Sequence, residues 1–146
     1  MNRRLFIQAA AATASATLLI AAQAQGTGTS GTKRHKIVIQ MSDADPGKWN
    51  LALNNAKNLQ DDVGATNVDI EIVAYGPGIG MLKLESPVAS RVDDAVKAGV
   101  KVLACENTMR GQKLTKDDMN GAVGYVPAGV TEIMKKQAEG WAYLRP

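Results

Sequence analysis

Apolar and polar residues follow two different periods along the chain, and the changes of period mark the predicted elements. A compact apolar run from 37 to 41 predicts a first buried strand. Residues 48–63 predict a helix, and Gly64 is placed to end it as a left-handed cap. Its apolar face is Trp49, Ala52, Leu53, Ala56, Leu59 and Val63. Residues 68–75 alternate, which predicts a second strand with one partly polar face, as expected at a sheet edge.

The middle of the chain predicts a glycine-rich loop, a helix and a third strand. Residues 76–80 contain three glycines and a proline, which favours a loop. Ser86 and Pro87 are a typical helix cap and first helical residue, and that helix is expected to stop at Gly99. Residues 101–104 predict a strand that runs into a polar turn at Cys105.

The last part of the chain repeats the alternation of helix and strand. Thr115 and Asp118 have capping-box spacing and predict a short helix. A strand over 122–126, a helix ended by Gly140 and a final strand over 141–144 follow. The inner face predicted for that last helix consists of Val130, Ile133, Met134 and Ala138.

This order predicts an α/β fold. Strands that alternate with helices, joined by short connections, are typical of a parallel sheet covered on both faces. Right-handed crossovers make it a small doubly wound, flavodoxin-like, five-stranded and mainly parallel sheet. Ligand sites in such sheets form at the carboxyl ends of the strands. Four segments are expected there: the turns 42–47, 105–111 and 127–129 and the loop 76–80.

The first 24 residues have the three-part pattern of a secretory signal. A basic start precedes an alanine-rich apolar stretch from Leu5 to Ala22, and small residues favour cleavage before Gln25. Arg3 and Arg4 also fit the twin-arginine type, and the two export routes remain open. The stretch is short for a membrane span, so no membrane association is expected after its removal. We expect a periplasmic or otherwise exported protein.

The remaining chain predicts a flexible Gly/Thr/Ser linker over 25–34 and one domain over 35–146. Removal of residues 1–24 takes away Arg3 and Arg4 and no acidic residue, so the formal net charge falls from +3 to +1. A nearly neutral domain gives no electrostatic reason to bind nucleic acid. No cofactor is expected.

Cys105 is the only cysteine and the leading candidate for chemistry. A single cysteine excludes an intramolecular disulfide, and with one histidine it cannot complete a structural zinc site. If a helix begins after Cys105, its N-terminus lowers the pKa of the thiol, and Arg110 adds positive charge. The alternative is a buried cysteine that only packs. His35 lies at the opposite end of the first strand, where a solvated histidine is expected.

Several blocks of the sequence together resemble the DsrE/DsrF-like family, which includes sulfur-relay subunits and YchN-like proteins. They are 37–40, Val73-Ala74-Tyr75-Gly76-Pro77-Gly78, Ala104-Cys105-Glu106-Asn107-Thr108-Met109, Gly124-Tyr125-Val126-Pro127-Ala128-Gly129 and Gly140-Trp141-Ala142-Tyr143. The resemblance covers residues 35–146. It implies a five-stranded α/β subunit that forms trimers or hexamers, with a persulfide-carrying cysteine at the end of the third strand followed by Arg-Gly. Cys105 and Arg110-Gly111 match that pattern with slightly different spacing.

The residue pattern and the family resemblance together predict an exported sulfur carrier that uses Cys105, with Arg110 as electrostatic support. A sulfur donor or acceptor protein is its expected partner. The residues expected to line the substrate are Asp43, Gly76, Gly78, Asn107 and Thr108. The relay members of the family act in the cytoplasm, which an exported domain does not share. The alternative function is a non-catalytic, oligomeric binding or assembly module with a structural cysteine.

Overall fold

The computed structural model describes residues 34–146. The predicted signal segment and nearly all of the predicted linker lie outside these residues. The strands are β1 (His35–Met41), β2 (Val68–Ala74), β3 (Lys101–Cys105), β4 (Gly124–Val126) and β5 (Ala142–Leu144). The α-helices are α1 (Pro46–Val63), α2 (Ala89–Lys97), α3 (Glu106–Gly111) and α4 (Gly129–Ala138). Three short 3₁₀ helices connect them: Ala65–Asn67, Gly76–Leu82 and Lys116–Asp118.

All five strands are parallel, in the order β4-β3-β2-β1-β5. Helices cover both faces, which confirms the predicted doubly wound α/β fold. One face packs against α1 and α2 in the larger apolar core, which includes Ile39, Ile72 and Val92. The other face packs against α4 in a smaller cluster of Val38, Val73, Val126 and Ile133. Among residues 34–146, no helix combines the length and apolar character needed to cross a membrane.

The prediction that β2 lies at a sheet edge is wrong, because β2 is the central strand. The polar residues in its alternating pattern are charged side chains that are buried or partly buried and have partners of opposite charge. Arg34 pairs with Asp69 at 2.7 Å, and Lys136 lies 3.7 Å from a carboxylate oxygen of Glu71. Short strands of three residues, β4 and β5, form the two edges instead.

The predicted inner face of α4 is also wrong. Ile133 is buried, but Val130 and Met134 are each 61% exposed, and Ala138 is exposed. The helix turns Lys136 toward the sheet, where it meets the buried Glu71. The spacing of apolar residues therefore predicted the wrong inner face, because a charged residue occupies a position that is normally apolar in an amphipathic helix.

Local differences affect two further predictions. The glycine-rich segment is a 3₁₀ helix, Gly76–Leu82, and not an open loop. Helix α2 begins at Ala89, two residues after Pro87, with Val88 as N-cap. The hydroxyl of Ser86 accepts a hydrogen bond from the backbone N–H of Val88 at 3.4 Å, so it stabilises the preceding turn. The capping interaction of Thr115 and Asp118 is confirmed, on a 3₁₀ helix.

Candidate functional site

Cys105 ends β3 and is the N-cap residue of α3. It is paired in register with Val126 of β4, and its side chain is only 5% exposed. A short helix, in place of the predicted polar turn, therefore begins directly after the cysteine, and the condition for a helix N-terminus beside the thiol is met. The thiol lies at the carboxyl edge of the sheet, where doubly wound folds place their sites.

The Cys105 thiol also meets the first residue of α4. The backbone N–H of Gly129 donates a hydrogen bond to Sγ at 3.2 Å. Ala128, the N-cap of α4, has no side chain that can accept this N–H, and the first N–H groups of a helix lack partners within the helix. The sulfur of Cys105 thus caps a ten-residue helix from which it is distant in sequence. The partial positive charge of a helix N-terminus favours a thiolate there.

Gly129 can approach the sulfur because it lacks a side chain. A Cβ atom at this position would lie 3.1 Å from Cβ of Tyr75 and 3.2 Å from a methyl carbon of Val73. These contacts are tighter than ordinary packing. A larger residue would move the start of α4 away from the sheet and its N–H away from Sγ.

Thr108 supplies a second type of donor. Its hydroxyl oxygen accepts a hydrogen bond from the backbone N–H of Gly76 at 2.9 Å. The hydroxyl proton is then free to point at Sγ of Cys105, and this bond lowers the pKa of the thiol. Gln112 holds the same segment in place, because its side-chain amide donates a hydrogen bond to the carbonyl oxygen of Gly76 at 3.2 Å. The glycine-rich segment therefore orients Thr108.

The pKa of the Cys105 thiol is lowered overall. Burial alone would raise it. The hydroxyl of Thr108 and the backbone N–H groups of Gly129, Thr108 and Asn107 outweigh burial because each stabilises the charged thiolate. The sequence placed two of these residues, Asn107 and Thr108, at the site as substrate-binding residues. In the structure both residues lie on α3 directly after Cys105 and contribute to the lowered pKa of its thiol.

Arg110 lies on the same short helix but interacts elsewhere. Its guanidinium donates to the side-chain oxygen of Asn107, three residues earlier. It is exposed, and the largest contributions to the lowered pKa of Cys105 come from Thr108, Gly129 and Asn107 instead. Burial and the hydrogen bonds around Sγ are the main causes of the change in the pKa of Cys105.

Asp43 and Gly78 also have roles that the sequence did not predict. The Asp43 carboxylate lies 3.2 Å from Lys48 and 3.4 Å from Arg145, and these partners keep its pKa below the ordinary value despite some opposing desolvation. Gly78 packs against the end of β1, where an added Cβ atom would lie 2.2 Å from the carbonyl oxygen of Met41. Both residues therefore stabilise the carboxyl edge of the sheet.

Three of the four segments predicted at this edge surround Cys105. Thr108 joins the turn after β3 to Gly76, and the N–H of Asn107 donates to the carbonyl oxygen of Pro127 at 3.2 Å. Gly129 and Gln112 also belong to this site but were not predicted from the sequence. The only signal for Gly129 was a glycine at a helix start that has no capping side chain before it. No feature of the sequence indicated Gln112, because its contact with Gly76 depends on how a distant segment folds.

Within the part of the chain that the structure describes, no three histidine, cysteine, aspartate or glutamate side chains group closely enough to hold a metal ion. His35 is exposed at the opposite edge of the sheet, as predicted. The chemistry available at the site is that of one thiol with several hydrogen-bond donors.

The model of the DsrE/DsrF-like family matches residues 33–146. The chain belongs to the DsrE/DsrF-like family. This confirms the resemblance drawn from the sequence blocks, and membership suggests a function related to sulfur relay. No protein with a curated description matches the chain.

Solved structures of other proteins have the same fold. A protein of unknown function, MTH1491 from Methanobacterium thermoautotrophicum, is 35% identical, with a TM-score of 0.73 over 77% of this chain and 99% of that one. The ychN protein from E. coli is 18% identical, with a TM-score of 0.63 over 77% and 99%. A conserved protein of unknown function, BT1422 from Bacteroides thetaiotaomicron, is 14% identical, with a TM-score of 0.58 over 76% and 94%. The last two likenesses concern the fold alone.

Replacing Thr108 by valine tests the donor role of its hydroxyl in this DsrE-like site. Valine keeps the shape but removes the hydrogen bond to the sulfur. A hydrogen bond to a charged group contributes about 1.5 kcal/mol, so the thiolate fraction at neutral pH should fall about tenfold. The rate of alkylation of Cys105 against pH measures this change.

Thr108→Ser is the matched control, since it keeps the hydroxyl and should retain the pH profile of the parent. A Thr108→Val protein that keeps the parent's pH profile would show that the hydroxyl does not stabilise the thiolate.

Proposed function

We propose that this protein is an exported sulfur carrier in which Cys105 holds a sulfur atom as a persulfide. One observation carries the proposal: hydrogen-bond donors from two segments, the start of α3 and the start of α4, lower the pKa of the thiol. A thiolate is the nucleophilic form of cysteine, and its stabilisation favours sulfur chemistry over inert packing. Family membership supports the same class of function.

The proposed step needs only one thiol. The thiolate of Cys105 attacks the terminal sulfur of a persulfide R–S–SH. A new S–S bond forms at Cys105, the S–S bond of the donor breaks, and the donor leaves as a thiolate. The sulfur atom is transferred without net oxidation or reduction of the pair. Delivery is the same reaction in reverse, toward the thiol of an acceptor protein.

The proposed place of action is the periplasm or another exported location, reached through the predicted signal over residues 1–24. We further propose a trimeric or hexameric assembly. The exposed apolar side chains of Val130 and Met134 on α4, and of Tyr143 on the edge strand β5, support a protein–protein interface. The donor and acceptor are proposed to be proteins that present a thiol or persulfide.

Intact-mass measurement of the exported protein, before and after incubation with inorganic polysulfide, tests the function. We expect an increase of one sulfur atom, which a reductant removes. Cys105→Ala should gain no sulfur, and Cys105→Ser tests whether a hydroxyl at the same place can substitute. The same spectrum shows whether residues 1–24 have been removed.

An unchanged mass under native conditions, with Cys105 labelled only after unfolding, would contradict the proposal. That result would favour the second candidate function, a non-catalytic oligomeric binding or assembly module. Two observations speak for this alternative: the thiol is only 5% exposed, and it caps α4. In that case the cysteine would serve the fold alone, and Val130 and Met134 would mark the functional surface.

A further inference from the structure

A group of charged side chains lies around the contact between β2 and α4, away from the thiol. Glu71 is only 2% exposed in the centre of the sheet. One of its carboxylate oxygens has no hydrogen-bond partner among the described residues, and the other lies 3.7 Å from Nζ of Lys136. The proposed sulfur chemistry does not use either residue. A buried carboxylate without full compensation is costly, so its place in the central strand requires an explanation.

Lys136 is the centre of this group. It lies 3.5 Å from Glu132 on α4, 3.8 Å from Glu139, the C-cap residue of α4, and 4.8 Å from the centre of the Trp141 ring. Lys101 on β3 and Lys36 on β1 are the other charges that face the group; Lys36 lies 5.9 Å from the same ring. The indole N–H of Trp141 is also buried, and it has no hydrogen-bond partner within residues 34–146. Lys136 is the one cation of α4 that compensates Glu71.

The ion pair between Glu71 and Lys136 and the hydrogen bond to the thiol both involve residues of α4, Lys136 and Gly129. Gly129 begins the helix at the sulfur, Ile133 packs one turn later on Val38 and Val73, and Lys136 lies almost one turn further on. Seven residues of helix span about 10 Å. On the sheet, Glu71 pairs in register with Lys101, which begins β3, and Cys105 ends that strand about 13 Å away. The two polar contacts therefore hold α4 on the sheet near its two ends.

We propose that Glu71 and Lys136 are positioning residues for the Cys105 thiol. Their ion pair sets the position of α4 along the sheet and thereby keeps the N–H of Gly129 directed at the sulfur. Ile133, the apolar contact between them, resists separation of helix and sheet but is less directional than an ion pair. The inference deepens the proposed function, since it concerns the same thiol. It does not depend on which sulfur compound the protein carries.

A mutant cycle with the thiol titration as readout tests the proposal. Because the chain has one cysteine, labelling cysteine Cβ with ¹³C gives a single NMR signal that reports the thiolate fraction of Cys105 at each pH. Lys136→Met leaves Glu71 beside Glu132 with no cation between them. We expect a thiolate fraction about tenfold lower at neutral pH, because α4 shifts and the Gly129 donor is lost.

The double variant Glu71→Gln/Lys136→Met removes the isolated charge as well, and we expect it to return to within about threefold of the parent. Lys135→Met changes an exposed lysine of the same helix and should leave the titration unchanged. Loss of stability alone would not move the titration of a thiol at the other end of the helix. The cycle therefore separates positioning from support of the fold.

Two results would overturn the inference: a parent-like titration in folded Lys136→Met, or a double variant as impaired as the single one. If Lys136→Met does not fold, Glu71→Asp is the deciding variant, because it keeps both charges of the ion pair and shortens only the acidic side chain. A decrease of threefold or more in the thiolate fraction supports positioning, and a smaller change overturns it. No sulfur donor is present in these experiments, so failure of persulfide loading would leave their result intact.

Discussion

Gly78→Ala is expected to destabilise the protein by at least about 3 kcal/mol. A Cβ atom at this position would lie 2.2 Å from the carbonyl oxygen and 2.6 Å from the carbonyl carbon of Met41, and 2.9 Å from Cα of Ser42. These are backbone atoms at the end of β1, so no side-chain rotation relieves the clash. The 3₁₀ helix Gly76–Leu82 would have to move away from the sheet. The midpoint of urea unfolding, followed by circular dichroism, measures the loss.

Gly121→Ala is the matched control, because a Cβ atom there would meet no atom within 4 Å other than those of its two chain neighbours and the glycine does not have positive φ. Its effect should stay within about 0.5 kcal/mol. A Gly78→Ala protein with the stability of this control would contradict the close packing of Gly78 on β1. It would also reopen the sequence-based assignment of Gly78 to substrate binding, which the packing makes unnecessary.

Trp49→Ala is expected to cost about 3–5 kcal/mol of stability. The indole ring is 7% exposed in the larger core, and a Cβ atom on Gly80 would lie 3.1 Å from it, so the ring packs directly on this glycine. Its N–H donates to the carbonyl oxygen of Asp43 at 2.7 Å. The residue thus joins α1 to the segments after β1 and β2. Its removal leaves a large cavity at the carboxyl edge of the sheet.

Trp49→Phe separates burial from hydrogen bonding. Phenylalanine keeps most of the apolar surface and loses the bond to Asp43, so it should cost about 1–2 kcal/mol. Urea unfolding followed by circular dichroism compares the two variants without interference from the fluorescence of Trp141. Equal losses in Trp49→Ala and Trp49→Phe would show that the hydrogen bond, and not the packing of the ring, supports this edge.

The class of fold and most elements were predictable because they depend on local patterns. The apolar face of α1 is confirmed, with Trp49, Ala52, Leu53 and Ala56 buried. The parallel order of strands followed from the alternation of strand and helix, since parallel neighbours require a crossover connection. The two main errors, at β2 and at α4, have one cause. The buried Glu71 and the partly buried Lys136 form a pair, and neither residue alone indicates that its charge is compensated across the interface.

For the site, the sequence determined one thing firmly: a single cysteine at the carboxyl end of a predicted inner strand, where ligands bind in this class of fold. Residue type and strand order are enough for that. It did not determine what surrounds the sulfur. Gly129, 24 residues away, and Gly76, which orients Thr108 from 32 residues away, reach the site only after the sheet has formed. A thiol pKa depends on such contacts in space, and therefore only the tertiary structure decided that the surroundings of Cys105 favour a thiolate.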